Sequence, residues 1–244
     1  MAVKEIQYNN ITYEIYYDIK NPNKDKDIVF LHGWGSDKEL MEQAFSNYLK
    51  DFRHIYLDMP GFGKSPNEEI LTTLDYKEIV ELFLQTLSSK KDVIVGHSFG
   101  GKVATLLNPK KLVLLSSAGI KTKKPFKVKA KITLFKAFKS IGLSKFYKLF
   151  ASKDVEGMKQ NMYETFKNVV DEDFEDIFKS FNSPALILWG KEDSATPLSS
   201  GKKIASLIKS SIFYEFEGDH YFFLKKPQEV SMQIFQFALK GVKV

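Results

Sequence analysis

The residue types and spacing best suited to covalent chemistry lie in Gly96-His97-Ser98-Phe99-Gly100-Gly101, directly after the short apolar run Val93-Ile-Val. A serine on a strand-to-helix turn has a pinched backbone, so the residues two before and two after it must be small; Gly96 and Gly100 meet that need. Such a turn lifts the hydroxyl above the sheet edge. It also brings the Phe99 N–H to a helix N-terminus, where it can stabilise an oxyanion. A glycine-rich turn with an incidental serine is the plainer reading of Gly-x-Ser-x-Gly alone. The valine-rich run ahead of it favours the catalytic reading.

A serine hydroxyl is a poor nucleophile until a base takes its proton, and the chain offers four histidines. His97 adjoins the serine, so its side chain is directed elsewhere and reads as a packed histidine. His54 opens a strand and is expected to meet solvent. His32 lies in the glycine-rich turn His32-Gly-Trp-Gly, where it would brace a loop. His220, in Glu217-Gly-Asp-His-Tyr just past the last strand, is the best base. A carboxylate should then fix its tautomer. Asp193 comes after the penultimate strand and before a helix, with Glu192 and Asp219 as rivals by proximity. Asp219, next to His220 in the chain, could not easily fold back to its ring.

These residues need a sheet whose strands end on one edge. Alternating patterns on either side of Asn9-Asn10 read as a hairpin. Apolar runs follow at Asp27–Leu31, Arg53–Asp58, Asp92–Gly96, Lys111–Leu115, Pro184–Trp189 and Ser211–Phe216. Helical spacing occupies Lys38–Lys50, Thr72–Ser88 (with Thr72 or Thr73 as cap), Ser199–Ile208 and Pro227–Leu239. Alternating strands and helices predict an α/β fold with a mostly parallel central sheet covered by helices on both faces. The interval 120–182 breaks the rhythm and reads as an all-helical insertion.

Composition bounds the rest. A chain of 244 residues that is 43% hydrophobic with 21 Phe can fill a core and is not disordered. No apolar run approaches the ~18–20 residues that a membrane crossing needs. The beginning of the chain lacks the apolar stretch of a signal peptide, so a cytoplasmic location is expected. Without cysteine there is no disulfide, thiolate metal site or cysteine nucleophile. The net charge of +6 is uneven: Val93–Lys153 holds 14 lysines and no acidic residue, so the remainder is acidic overall.

Taken together, these motifs resemble those of the α/β-hydrolase family, over most of the chain outside the insertion. His32-Gly33-Trp34-Gly35 resembles the family's oxyanion loop, which implies that the Trp34 N–H is a second donor beside Phe99. Asp58-Met-Pro-Gly-Phe-Gly-Lys-Ser65 is similar to its Asp-x-Pro-Gly-x-Gly-x-Ser loop. Gly190-Lys-Glu-Asp193 with Pro197 resembles its acid loop and favours Asp193 over Glu192; Gly218-Asp-His220 before Lys226-Pro227 resembles its histidine loop. The resemblance implies an α/β-hydrolase fold, with a core over 1–119 and 183–244 and a helical cap over 120–182. Ser98, Asp193 and His220 would form the catalytic set, supported by His32, Gly33, Gly96 and Gly100. Only ten residues separate Gly101 from Leu112, so the helix behind the nucleophile is expected to be about two turns shorter than in relatives.

A serine at the turn argues against the family's dehalogenases and epoxide hydrolases, which use aspartate there. It implies acyl transfer to water: cleavage of carboxylic esters or thioesters through an acyl-enzyme, with C–C hydrolysis as an alternative and a non-catalytic binding protein as the rival of another class. No metal or organic cofactor is required. Within Lys131–Phe150, Phe135 and Phe138 share one face with other apolar residues and lysines mark the other. The plain reading is a lid with its apolar face over an acyl pocket and a solvated cationic face. Alternatively, Lys123, Lys124 and Lys127 could dock an acidic acyl carrier protein, or the helix could rest on an anionic membrane surface. His-Gly-Trp-Gly with a basic cap resembles carboxylesterases of the pimeloyl-acyl-carrier-protein methyl ester esterase kind. Nothing in the sequence suggests nucleic acid as a partner.

Overall fold

A computed structural model describes residues 1–121 and 158–240. Phe135, Phe138, Lys123, Lys124 and Lys127, expected from the sequence to contact substrate or partner, lie outside them. Eight strands form one sheet: β1 (Ala2–Tyr8), β2 (Ile11–Lys20), β3 (Asp27–Leu31), β4 (Arg53–Leu57), β5 (Val93–His97), β6 (Leu112–Leu115), β7 (Ala185–Gly190) and β8 (Ser211–Phe216). Their order is β1-β2-β4-β3-β5-β6-β7-β8. The β1–β2 and β2–β4 pairs are antiparallel and every pair from β4 to β8 is parallel. The hairpin turns through Asn9 and Asn10, both at positive φ (51° and 61°), the conformation that a two-residue turn of matching twist requires.

The strands β3, β5, β6 and β7 are buried along their whole length, so alternate side chains feed two cores. Val29, Leu31, Ile94 and Leu114 pack under α2 (Thr73–Thr86), α3 (Phe99–Leu106) and α6 (Leu198–Leu207) through Tyr76, Phe83, Val103 and Ile204. Phe30, Val95, Leu115 and Leu188 face α1 (Lys38–Phe45) and α8 (Pro227–Lys240), meeting Met41, Phe45, Val230 and Ile234. Both faces of the sheet are thereby closed.

Several elements differ from their sequence expectation. Helix α1 stops at Phe45 rather than Lys50: after the Ser46 N–H bond to the Glu42 carbonyl the chain tightens, with the Tyr48 N–H donating to the Phe45 carbonyl at 3.0 Å and Leu49 at φ 54°. Helix α2 begins where expected, with Thr72 as cap; Thr72 and Asp75 satisfy each other's backbone N–H groups in a capping box. Helix α3 is eight residues long, as short as the Gly101–Leu112 spacing implies. Of the 120–182 interval, the described part contains α4 (Gln160–Val170) and α5 (Glu175–Ser180). Helix α4 sits on the loop before α2: Asn161 donates to the Asn67 carbonyl at 2.9 Å, and the Thr165 hydroxyl accepts the Leu71 N–H at 3.0 Å. A short α7 (Phe222–Lys225), not expected from spacing, follows His220.

His54 is corrected by the structure. It is fully buried, not solvent-facing: one ring nitrogen lies 2.8 Å from the Tyr56 hydroxyl and the other 2.9 Å from the Leu49 carbonyl. The pairing of β4 between β2 and β3, with the turn after α1 folded over it, encloses a position that by sequence stands at a strand's beginning.

Candidate active site

The end of β5 and the start of α3 form a tight turn at Ser98, whose φ of 51° and ψ of −115° lie where side chains are normally excluded. Such a conformation costs on the order of 1–3 kcal/mol and persists only where its surroundings enforce it. Three backbone bonds do so: the Ser98 N–H donates to the Leu115 carbonyl at 3.1 Å, and the Ser98 carbonyl accepts from Gly101 and Ala118, each at 3.0 Å. The turn also requires missing side chains. A Cβ at Gly96 would stand 2.4 Å from the Gly100 carbonyl oxygen, and one at Gly100 would stand 2.5 Å from the carbonyl oxygens of Leu31 and His32.

His32 braces the neighbouring loop from within. Fully buried, it donates from Nδ1 to the Gly33 carbonyl at 2.8 Å and accepts the Met59 N–H on Nε2 at 3.1 Å. Burial pushes its pKa down, so the ring stays neutral. Trp34, in the same loop, packs its ring against Phe62, Phe99 and Phe166.

Asp193 and His220 meet at the ends of β7 and β8. His220 Nδ1 lies 2.7 Å from Asp193 Oδ2, and the Asp193 side chain has no solvent exposure. The other carboxylate oxygen accepts the N–H groups of Ala195 and Thr196, both at 2.8 Å, and the Thr196 hydroxyl donates to Oδ2 at 2.8 Å. Burial works to raise the carboxyl pKa. The hydrogen bond and charge of His220, with the Thr196 N–H, outweigh it and hold Asp193 below its ordinary value. With Nδ1 donating to a carboxylate, Nε2 is left as the basic nitrogen. The rival carboxylates are elsewhere: Glu192 is exposed, and Asp219 is bonded to Lys225 Nζ at 2.8 Å and to the Tyr221 N–H at 2.9 Å.

Ser98, Phe99, Trp34 and His220 all line one cavity of ≈ 860 Å³. No hydrogen bond joins the Ser98 hydroxyl to His220; contacts of this kind commonly tighten only when substrate is bound. Apolar wall comes from Phe166, Val169 and Ile120 among others.

Three polar residues at this cavity were not singled out from the sequence. Thr196 stands three residues after Asp193, the spacing of a side chain–backbone turn, and that signal could have found it. Lys102 lies four residues after Ser98 and therefore on the same helical face. Its ammonium is buried, hydrogen-bonds the Val169 carbonyl at the end of α4, and lies 2.6 Å from Glu172 Oε2, which also accepts from the Thr73 hydroxyl. The same ammonium stands 5.5 Å and 5.1 Å from the ring centres of Phe99 and Phe174. Burial pushes the Lys102 pKa down, against the pull of Glu172. Nothing in the sequence announces Glu172 as its partner, 70 positions away.

Comparison with known proteins agrees with this architecture. The profile of the alpha/beta hydrolase family matches residues 28–233. A curated relative, the uncharacterized hydrolase YugF of Bacillus subtilis (strain 168), is 27% identical, covering 93% of this chain and 94% of its own. The pimeloyl-acyl-carrier-protein methyl ester esterase of Vibrio campbellii (strain ATCC BAA-1116) is also 27% identical, over 87% of this chain and 94% of its own. Among solved structures, the esterase EaEST from Exiguobacterium antarcticum superposes with a TM-score of 0.75 at 22% identity, covering 96% of this chain and 98% of that one. The chain belongs to the alpha/beta hydrolase family of enzymes.

Proposed function

We propose that the protein is a serine hydrolase that cleaves carboxylic esters or thioesters of apolar acyl groups through an acyl-enzyme. The Ser98 hydroxyl attacks the carbonyl carbon while His220 Nε2 takes its proton, and Asp193 holds the imidazole in the required tautomer. The Trp34 and Phe99 N–H groups receive the developing oxyanion; each donor is expected to contribute roughly 3–4 kcal/mol. The tetrahedral intermediate collapses as His220 returns the proton to the leaving oxygen or sulfur, and water then repeats the sequence to release the acid. Residues 120–182 act as the cap over the acyl pocket. The observation carrying this reading is the 2.7 Å Asp193–His220 bond at the cavity into which the strained Ser98 turn opens.

A second reading is favoured by the relatives named as pimeloyl-acyl-carrier-protein methyl ester esterases. The acyl group is then delivered by an acidic carrier protein to the lysine-rich stretch containing Lys123, Lys124 and Lys127. Two assays separate them. Ser98→Ala should abolish turnover of p-nitrophenyl acyl esters while leaving the melting temperature within a few degrees; retained turnover sinks the serine mechanism. Activity on an acyl-carrier methyl ester that falls steeply with salt supports the carrier reading, and salt-insensitive activity removes it.

A further inference from the structure

Resting on the reading of His220 as the base, we infer that His97 is the positioning residue that fixes it over the nucleophile turn. His97 is the last residue of β5 and is fully buried. Its ring packs against three rings of the histidine loop and α7: its centre is 4.6 Å from that of His220, 5.1 Å from that of Tyr221 and 4.9 Å from that of Phe223. His97 Nε2 lies 3.1 Å from the His220 carbonyl oxygen, an atom that can only accept, so Nε2 carries the proton. Nδ1 is then bare, buried and without a hydrogen-bond partner.

That bare nitrogen faces the loop after β3. A Cβ on Gly33 would stand 2.9 Å from His97 Nδ1 and 3.2 Å from Ser98 Cβ, so the loop bearing Trp34 passes tightly over both residues. One ring therefore touches the nucleophile strand, the proposed oxyanion loop and the histidine loop together. A second proton, on Nδ1, would find no acceptor there: burial, and then the nearby charge of His220, push the His97 pKa down to about 3. The bond to the His220 carbonyl and then the charge of Asp193 pull the other way, and His32 adds to the depression. His97 thus remains a neutral, single-donor prop beside the histidine that gains charge in catalysis. Packing alone would be met by any ring of similar size. The Nε2–H bond to the very residue whose side chain must reach Ser98 is what marks a positioning role.

Three variants separate these explanations. His97→Phe keeps a ring but removes the donor; His97→Gln offers an amide N–H close to the place of Nε2; His97→Asn is too short and offers one near Nδ1. Expected is a fall in kcat of about 10- to 100-fold for Phe and Asn with KM changed less than about twofold, since a displacement near 1 Å costs about that much. Gln should recover kcat to within about fivefold of the parent. Parent-like kcat in His97→Phe, or a Gln variant no better than Asn, overturns the inference. If His97→Phe does not fold, the Gln–Asn difference still decides. Failure of the serine mechanism itself reads out separately, as turnover that survives Ser98→Ala.

Discussion

Asp193–His220 and Lys102–Glu172 are both acid–base pairs at one cavity, yet their surroundings differ. The Asp193 carboxylate is saturated by local donors from its own loop, while the basic nitrogen of its histidine is left uncommitted. In the Lys102 pair the cation is the enclosed partner. It is shared among a helix-end carbonyl, a carboxylate and two aromatic rings that come from α3, α4 and the turns around α5. Under the proposed function the first arrangement serves proton transfer; the second joins α3 to the end of α4 and to the turn before α5. On that reading, similar charges serve chemistry or fastening according to which atom is left open.

Removing the acid tests the first half of that contrast and has the largest expected effect. Asp193→Asn should lower kcat by about 10⁴-fold, because an amide N–H favours the wrong histidine tautomer, with little change in thermal unfolding. A loss below tenfold would break the comparison.

The next effect is one of acid stability. His97 is neutral in the fold with a pKa lowered from 6.5 to about 3, so the unfolded chain binds a proton that the folded chain refuses between those values. Stability contributed by that refusal is complete above the unfolded value and is lost as pH falls below it, by on the order of 5 kcal/mol at the acid limit. His32 and His54 are lowered in the same direction by burial. Urea midpoints of the parent should fall steeply between pH 6.5 and pH 4, and His97→Gln should flatten that slope.

The smallest effect belongs to the fastening pair. Glu172→Gln leaves the Lys102 ammonium enclosed without its counter-charge. A fully buried broken pair costs about 3–5 kcal/mol; with the Glu172 side chain 29% exposed, about 2 kcal/mol is expected. That should lower the melting temperature by about 4–8 °C while kcat stays within a few-fold. A variant with parent stability and lost activity would reverse the roles assigned to the two pairs.

What could be read in the sequence was whatever short-range chemistry dictates. The Ser98 turn needs two glycines at fixed offsets, the hairpin needs residues tolerant of positive φ at Asn9 and Asn10, and the capping box needs Thr72 and Asp75 three apart. Each is visible in a few residues. Helix α3 was short because the spacing from Gly101 to Leu112 left no room for more. His54 was misread because its burial is made by elements distant in sequence: β2 beside it and the turn after α1 above it. Lys102 escaped notice for the same reason. A lysine following Gly-Gly resembles any surface lysine until Glu172 and the end of α4 fold onto it. Thr196 shows the middle case, its spacing to Asp193 being readable but its hydroxyl's closeness to the carboxylate visible only in three dimensions.

Where Gly100 meets the carbonyls of Leu31 and His32, main chain rests directly on main chain with no flexible side chain between. The Ser98 turn and the loop carrying Trp34 are consequently one solid block, and neither can yield without dragging the other out of place. Under the proposed function, adaptation to new acyl groups has to be drawn from walls outside that block, such as the Phe166–Val170 side of α4 and the Ser194–Pro197 stretch. Two chains could share this block atom for atom and still differ completely in what they cleave.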